Sequence, residues 1–594
     1  MESTRDTDPV LEAAKARFGI EYLYPWQRLV IANILDAVAA EELARAATDA
    51  RDALSVRDVR DVRVNDDDDD ERLDEDGSSR GRQIVLLPTG AGKSLCFQIP
   101  ALFFSKPTLV IFPLLALMAD QERRLRAVGL EPAVFRGGQT PEERNRLFAR
   151  LEGTDGHEPA RIVIANPEVL APGEVLDRIA RRGVAHLAID EAHCVAEWGD
   201  TFRPAYLELA RVIERVKPFA VTGFTATASP EVLARTAEAL FAGEAHVVRG
   251  ESDRPNIAYA VRLCHAKDTA LIREVARRKR PLVVFCATRG GTERAAMLLR
   301  ETFGDREIRF YHAGLSREEK AAVETWFHGH ESAVLTATCA WGLGIDKKNV
   351  RTVIHRDPPP SAEAYAQEAG RGGRDGEPAE AILLWSPRDR ARAMALPEPA
   401  RRRAAVLALF AEGRRCRREV LLEALGDPRA GEGASEGERI ACSGCDVCDG
   451  DADTSPRDGE LVHEYIGKNR RRYSREAIAE SLTEAGNRVA RERGGYPAWK
   501  HTDFLGIIRD LESAGKVREL DRWPWKGMMT VIRPLPPRPA LPLRPWRLSA
   551  RLFFPERGTL LPLRRLPRRP RIPLRAPAPD GRALPSDGGR ASGT

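Results

Sequence analysis

The chain has 594 residues, 43% hydrophobic and 30% charged, too many for one hydrophobic core, so three or four folded units are expected. No apolar run approaches the ~20 residues that span a bilayer, and the polar start Met1–Pro9 is unlike a secretory signal; a soluble, cytoplasmic protein with no membrane partner is expected. The net charge of +5 hides thirteen arginines against three acids in Pro534–Thr594 and eleven acids against three arginines in Asp58–Asp76, so it does not by itself argue for nucleic acid.

Residues 10–37 read as helices around Tyr24-Pro25-Trp26-Gln27. Residues 38–80 read as an inserted, largely disordered loop, because such a charge block cannot bury a core. An apolar strand, Gln83 to Leu87, then runs into Pro88-Thr89-Gly90-Ala91-Gly92-Lys93-Ser94 and a helix. That is the context of a phosphate-binding loop. Gly90 and Gly92 let backbone N–H groups close on phosphates, Lys93 reaches the β/γ-phosphates and Ser94 can ligate Mg²⁺. Leu87 stands where the usual first glycine would be.

Apolar strands follow at Leu109–Phe112, Ile162–Ala165, Leu187–Ile189 and Val221–Phe224, alternating with charged helical stretches. A second series runs Leu282–Cys286, Ile308–Tyr311, Val334–Thr338, Val353–His355 and Ile382–Trp385. Two consecutive α/β domains with parallel sheets are expected. The third strand of the first series ends in Asp190-Glu191-Ala192-His193. A carboxylate there can hold the Mg²⁺ that bridges ATP phosphates, and its neighbour can deprotonate the attacking water. Asp190 and Glu191, taken with Lys93, point to ATP hydrolysis.

Cys442-x-x-Cys445-x-x-Cys448, with Cys416 upstream, offers four thiolates for a structural Zn²⁺. Cys96, Cys194, Cys264, Cys286 and Cys339 read as small buried side chains, and the 417–441 spacer as a surface loop. Helical periodicity at Ile478/Leu482 and Phe504/Ile507/Ile508/Leu511, a stop at Gly515 and a hairpin around Trp523-Pro524-Trp525 suggest a winged helix-turn-helix. The Pro/Arg-rich end is expected to be disordered.

With these residues in view, the chain resembles the RecQ family of superfamily 2 DNA helicases. The strings that carry the resemblance are Pro88–Pro100 (PTGAGKSLCFQIP), Phe112–Gln121 (FPLLALMADQ), Asp190–Tyr206 (DEAHCVAEWGDTFRPAY), Thr225–Ala228 (TATA), Asp253–Asn256 (DRPN) and Gln367–Gly376 (QEAGRGGRDG). It implies two tandem RecA-like domains at 1–255 and 256–399. A zinc-binding helical unit at 400–450, a winged helix at 460–532 and a tail at 534–594 complete the expected order. The resemblance also implies residue roles. Gln27 would read the adenine, and Thr89, Gly90, Gly92, Lys93, Ser94, Gly344 and Asp346 would line the nucleotide site. Gln367, Arg371 and Arg374 resemble the last helicase motif, with Arg374 as arginine finger. His193, Trp198, Phe202, Arg203, Thr225 and Thr227 would couple hydrolysis to DNA.

Two departures stand out. Tyr24 replaces the arginine of the family's adenine segment, and Asp200 replaces a histidine in the aromatic loop. The expected function is 3′ to 5′ translocation on single-stranded DNA with unwinding of duplex DNA, in recombination or repair. It would use ATP, Mg²⁺ and Zn²⁺, and single-strand-binding or repair proteins are expected partners. The alternative is a DNA-binding remodelling protein that uses ATP as a switch; RNA unwinding is disfavoured because the resemblance is to the DNA family.

Overall fold

The computed structural model describes residues 8–55, 81–87, 92–198, 204–250, 252–304, 307–342, 347–431, 439–492 and 496–532. Its first sheet contains β1 (Arg82–Leu86), β2 (Thr108–Ile111), β3 (Ala133–Phe135), β4 (Ile162–Ala165), β5 (His186–Asp190), β6 (Ala220–Thr225) and β7 (His246–Arg249). The order is β3-β4-β2-β5-β6-β1-β7, and every pairing is parallel. Helices cover both faces, so these strands are largely buried and mostly apolar. Each fully buried Val, Leu or Ile in them contributes about 1.5–3 kcal/mol.

The second sheet contains β8 (Ile257–Leu263), β9 (Leu282–Phe285), β10 (Ile308–Tyr311), β11 (Val334–Ala337), β12 (Thr352–His355) and β13 (Ala379–Trp385). Its order is β10-β11-β9-β12-β13-β8, again all parallel. Helices Ala400–Glu412 and Arg417–Ala424 follow, and the cysteine segment docks on the edge strand through a bridge between Tyr259 and Cys445. Helices Arg457–Lys468, Arg475–Glu492 and His501–Ser513 then lead into an antiparallel hairpin of β14 (Val517–Glu519) and β15 (Met529–Val531). Asp510 ties the last helix to the second sheet's unit, accepting from Arg388 Nε at 2.9 Å and lying 3.0 Å from His265 Nδ1.

Three expectations are corrected. Residues 38–55 are not loop: the helix that begins at Pro25 continues to Ser55. Its alanine-rich stretch has the highest helix propensity, Val38 is buried in the core, and Glu41 pairs with Arg45 one turn on at 2.8 Å. The Arg45 guanidinium also stacks 4.3 Å from the Phe219 ring centre. The acidic remainder, 56–80, lies outside the described residues, as does the tail from 533. The 417–441 spacer begins as the helix Arg417–Ala424, because Arg417, Val420 and Leu421 are buried against the second unit. Cys339 is exposed rather than buried; the short turn Cys339–Gly342 instead sends Trp341 into the core, against Phe285 and Phe327.

Candidate nucleotide site and cysteine cluster

In the first sheet β5, β6 and β1 are neighbours, and their carboxyl ends are level: Asp190 pairs with Phe224, and Leu86 with Thr225. The chain therefore delivers Lys93, Asp190, Glu191 and Thr225 to one rim of one sheet. Ligand sites of open α/β sheets lie outside the carboxyl ends of the strands. Gly92 has φ +76°, and a Cβ there would lie 2.7 Å from Gln27 Nε2. Only glycine fits, and the Gln27 amide is thereby set against the loop. Gln27 is buried, and its Oε1 accepts from the Tyr24 backbone N–H at 2.9 Å.

Lys93 Nζ is buried without a hydrogen-bond acceptor, its ion-pair partner Glu191 Oε1 standing 3.5 Å away. Glu191 has φ +51°, a left-handed conformation uncommon for a residue with a side chain. Strain of that kind, of order 1 kcal/mol, persists where the surroundings over-determine it. Here it carries the carboxylate to Lys93. Glu191 Oε2 lies 3.4 Å from His193 Nδ1. The Thr225 hydroxyl donates to the Thr227 carbonyl at 3.0 Å, so His193 Nδ1 is the donor across its 2.9 Å contact with Thr225 Oγ1. The carboxylate of the strand end is thus linked through one imidazole to Thr225-Ala226-Thr227.

Burial pushes the Asp190 carboxyl up to about 6, with Lys93 opposing and Glu191 adding to the rise. Burial also raises Glu191, but Lys93, His193 and Arg371 outweigh it and hold that carboxyl below its ordinary value. Two adjacent carboxylates in one dry site are driven apart, one toward protonation and one toward the base form. A divalent cation at Asp190 would restore its ionised form. Ser94, the other expected ligand, accepts from Gln121 Nε2 at 3.2 Å, and Gln98 Nε2 donates to Gln121 at 2.9 Å. This glutamine relay was not foreseen; both residues lie within recognised strings, but a contact between side chains leaves no periodic trace.

Arg371 acts on Glu191 from the second sheet's unit, so the two domains meet at this site. Gln367 sits in the helix Ala362–Ala369, and Arg371 and Arg374 in the turn that follows it. Trp198 ends the helix Cys194–Trp198. Thr89, Gly90, Phe202, Arg203, Gly344 and Asp346 lie outside the described residues.

The thiols of Cys416, Cys442, Cys445 and Cys448 all lie within 4.8 Å of one another. Cys416 and Cys445 Sγ are 3.9 Å apart, close to the edge of a tetrahedron with metal–sulfur bonds of about 2.3 Å. Burial and the neighbouring thiols push Cys416 up to about 11. Burial also raises Cys445, but the N–H groups of Cys448 and Arg417 outweigh it and draw that thiol down. Four such thiols ionise together only around a cation. The donor set fits Zn²⁺.

The DEAD/DEAH box helicase family matches residues 75–236, and the helicase conserved C-terminal domain matches residues 266–376. With the two parallel sheets these define a two-domain helicase motor. Over this motor the chain is similar to RecQ helicases. The ATP-dependent DNA helicase RecQ of Pasteurella multocida is 36% identical over 376 residues, covering 61% of this chain and 57% of that protein. The RecQ of Haemophilus influenzae is 35% identical over 375 residues, covering 61% and 58%. That of Bacillus subtilis is 35% identical over 316 residues, covering 52% of each. The chain thus spans less than two thirds of the length of these curated relatives. Among the described residues no helix is long and apolar enough to cross a membrane.

Proposed function

We propose that the protein is an ATP-dependent DNA helicase that moves 3′ to 5′ on single-stranded DNA and unwinds duplex DNA in recombination or repair. The observation that carries the ATPase reading is the meeting of Lys93, Glu191 and Arg371 from two domains at one strand-end site. The DNA substrate rests on the similarity to relatives named as DNA helicases, and the polarity only on the family resemblance of the motifs.

In this reading Gln27 reads the base, Gly92 and Lys93 bind the phosphates, and Ser94 and Asp190 hold Mg²⁺. That cation supplies charge neutralisation across the β- and γ-phosphates. Glu191, kept ionised by Lys93 and His193, takes the proton of the attacking water. Arg371 and Arg374 stabilise the charge of the transition state when the domains close. His193 and Thr225 carry the state of Glu191 toward Thr227 and the DNA path, where Trp198, Phe202 and Arg203 would contact single strands by sequence-tolerant stacking. Residues 460–532, which hold helices and an antiparallel hairpin, are read as a winged helix.

The test is ATP turnover with and without single-stranded DNA, beside strand separation on 3′- and 5′-tailed duplexes. Stimulated turnover with unwinding of the 3′-tailed substrate alone is expected. Stimulation without strand separation would favour an ATP switch instead. Glu191→Gln is expected to bind ATP and DNA as the parent does while turnover falls about 10²- to 10⁴-fold, since an amide accepts no proton. Loss of ATP affinity in step with turnover would remove Glu191 from the role of base.

A further inference from the structure

Arg254 and Asn256, in the segment joining the two sheets, clamp the backbone of the turn that carries Arg371 and Arg374. Arg254 Nη1 donates to the Gly370 carbonyl at 3.1 Å, and Nη2 to those of Gly372 and Gly373 at 3.1 and 3.0 Å. Asn256 Nδ2 donates to the carbonyls of Gly373 and Glu377 at 2.8 and 2.9 Å. The fit leaves no space. Gly373 has φ +55°, and a Cβ there would lie 2.4 Å from Asn256 Nδ2 and 2.5 Å from the Glu377 carbonyl oxygen.

The same segment is held from behind by the cysteine unit. Arg418, fully buried, pairs with Asp253 and donates to the carbonyls of Arg254 at 3.1 Å and Ile257 at 2.6 Å. Ser443 Oγ donates to the Pro255 carbonyl at 2.7 Å, and the Gly444 carbonyl accepts from the Tyr259 N–H at 3.3 Å. Arg418 lies two residues after Cys416, and Ser443 and Gly444 lie between Cys442 and Cys445. Both arms of the cysteine cluster therefore grip one short strap, Asp253–Asn256, whose other side grips the arginine turn.

We propose that Arg254, Asn256 and Arg418 are positioning residues for ATP hydrolysis, through which the cysteine unit sets the turn bearing Arg371 and Arg374. The inference rests on the reading of those two arginines as facing ATP. It adds that the cysteine unit, beyond its own stability, controls turnover. The chemistry of the strap supports a positioning role. Removing the guanidinium or amide takes the donors from several backbone carbonyls at once, and the turn relaxes to find others. Displacement of about 1 Å at a reacting centre costs up to about 10²-fold in rate. Burial lowers the Arg254 guanidinium, Tyr259 opposes this, and the nearby Arg374 cation lowers it further. Two neighbouring cations favour the arrival of an anion there.

The experiment compares the full chain with Asn256→Ala, Arg254→Lys, Arg418→Lys and Arg374→Ala. It measures kcat and KM for ATP at saturating single-stranded DNA, the Kd of a non-hydrolysable ATP analogue, zinc per chain and Tm. Asn256→Ala and Arg254→Lys are expected to lower kcat about tenfold or more, with analogue affinity and zinc content within twofold of the parent. Arg418→Lys keeps the cation and loses the fork; a smaller fall in kcat with zinc retained is expected. If Asn256→Ala does not fold, Arg254→Lys decides. Wild-type kcat in Asn256→Ala and Arg254→Lys, with Arg374→Ala inactive, overturns the strap. Wild-type kcat in Arg374→Ala overturns the reading of the turn beneath it.

Discussion

Lys93→Ala is expected to lower DNA-stimulated ATP turnover by about 10²- to 10³-fold, the loss found when one preorganised charge partner is taken from a transition state. Binding of single-stranded DNA is expected to stay within about twofold, because Lys93 faces Glu191 and in the proposed reading serves the phosphates and not the DNA. Two effects combine in the loss. The ammonium is buried with no hydrogen-bond acceptor, so it is desolvated before any phosphate would arrive. It is also the strongest of the charges that hold Glu191 below its ordinary carboxylate value against burial. Without it burial acts on Glu191 with less opposition, and the group moves toward the protonated form that cannot serve as base. Parallel measurement of turnover and of DNA affinity by fluorescence anisotropy checks both statements. Turnover near that of the parent would remove Lys93 from the phosphate site.

The fold was legible in the sequence where strands carry a short run of mostly apolar residues. Ile162–Ala165 and Ile308–Tyr311 are found at the residues expected, and the other expected strands shift by one to three residues at their ends. Three strands were not foreseen. β3 has only three residues. β7 and β8 lie at sheet edges, and their half-exposed patterns lack a continuous apolar run. The helix through residues 38–55 was hidden by its charge, although its alanines and the Glu41–Arg45 pair favour a helix. At the site, motif order placed Lys93, Asp190 and Glu191 on strand ends. Their convergence follows from β5, β6 and β1 being neighbours, a matter of topology that no local pattern records. The same holds for His193 on Thr225 and for Arg418 on the Asp253 strap, contacts across 32 and 165 residues. Hydrogen bonds between distant side chains have no sequence period, so neither was readable before the fold was known.

Cys445→Ser is expected to reduce bound zinc from one per chain to near zero and to lower the unfolding temperature of the second domain's edge. Cys445 is the most enclosed of the four thiols. Its sulfur lies 3.9 Å from Cys416 and accepts from the Cys448 N–H at 3.4 Å. A serine hydroxyl is a harder donor, shorter in reach and rarely ionised, so tetrahedral thiolate ligation fails. Metal binding supplies on the order of 10 kcal/mol of folding free energy in small zinc peptides. The cost here is expected to be smaller, because this segment is also held by protein contacts. Asp446, next in sequence, accepts from Arg417 Nε at 2.9 Å and from the Val261 N–H at 2.7 Å, and its own N–H donates to the Tyr259 carbonyl at 3.0 Å. Those contacts keep the segment on β8 when the metal leaves, so partial rather than global unfolding is expected. Chelator treatment of the parent should reproduce the shift, while Cys339→Ser, an exposed cysteine outside the cluster, should keep its zinc and its Tm. Metal analysis showing one zinc per chain in Cys445→Ser would refute this ligand set, and an unchanged Tm with zinc lost would show that the protein contacts alone hold the segment in place.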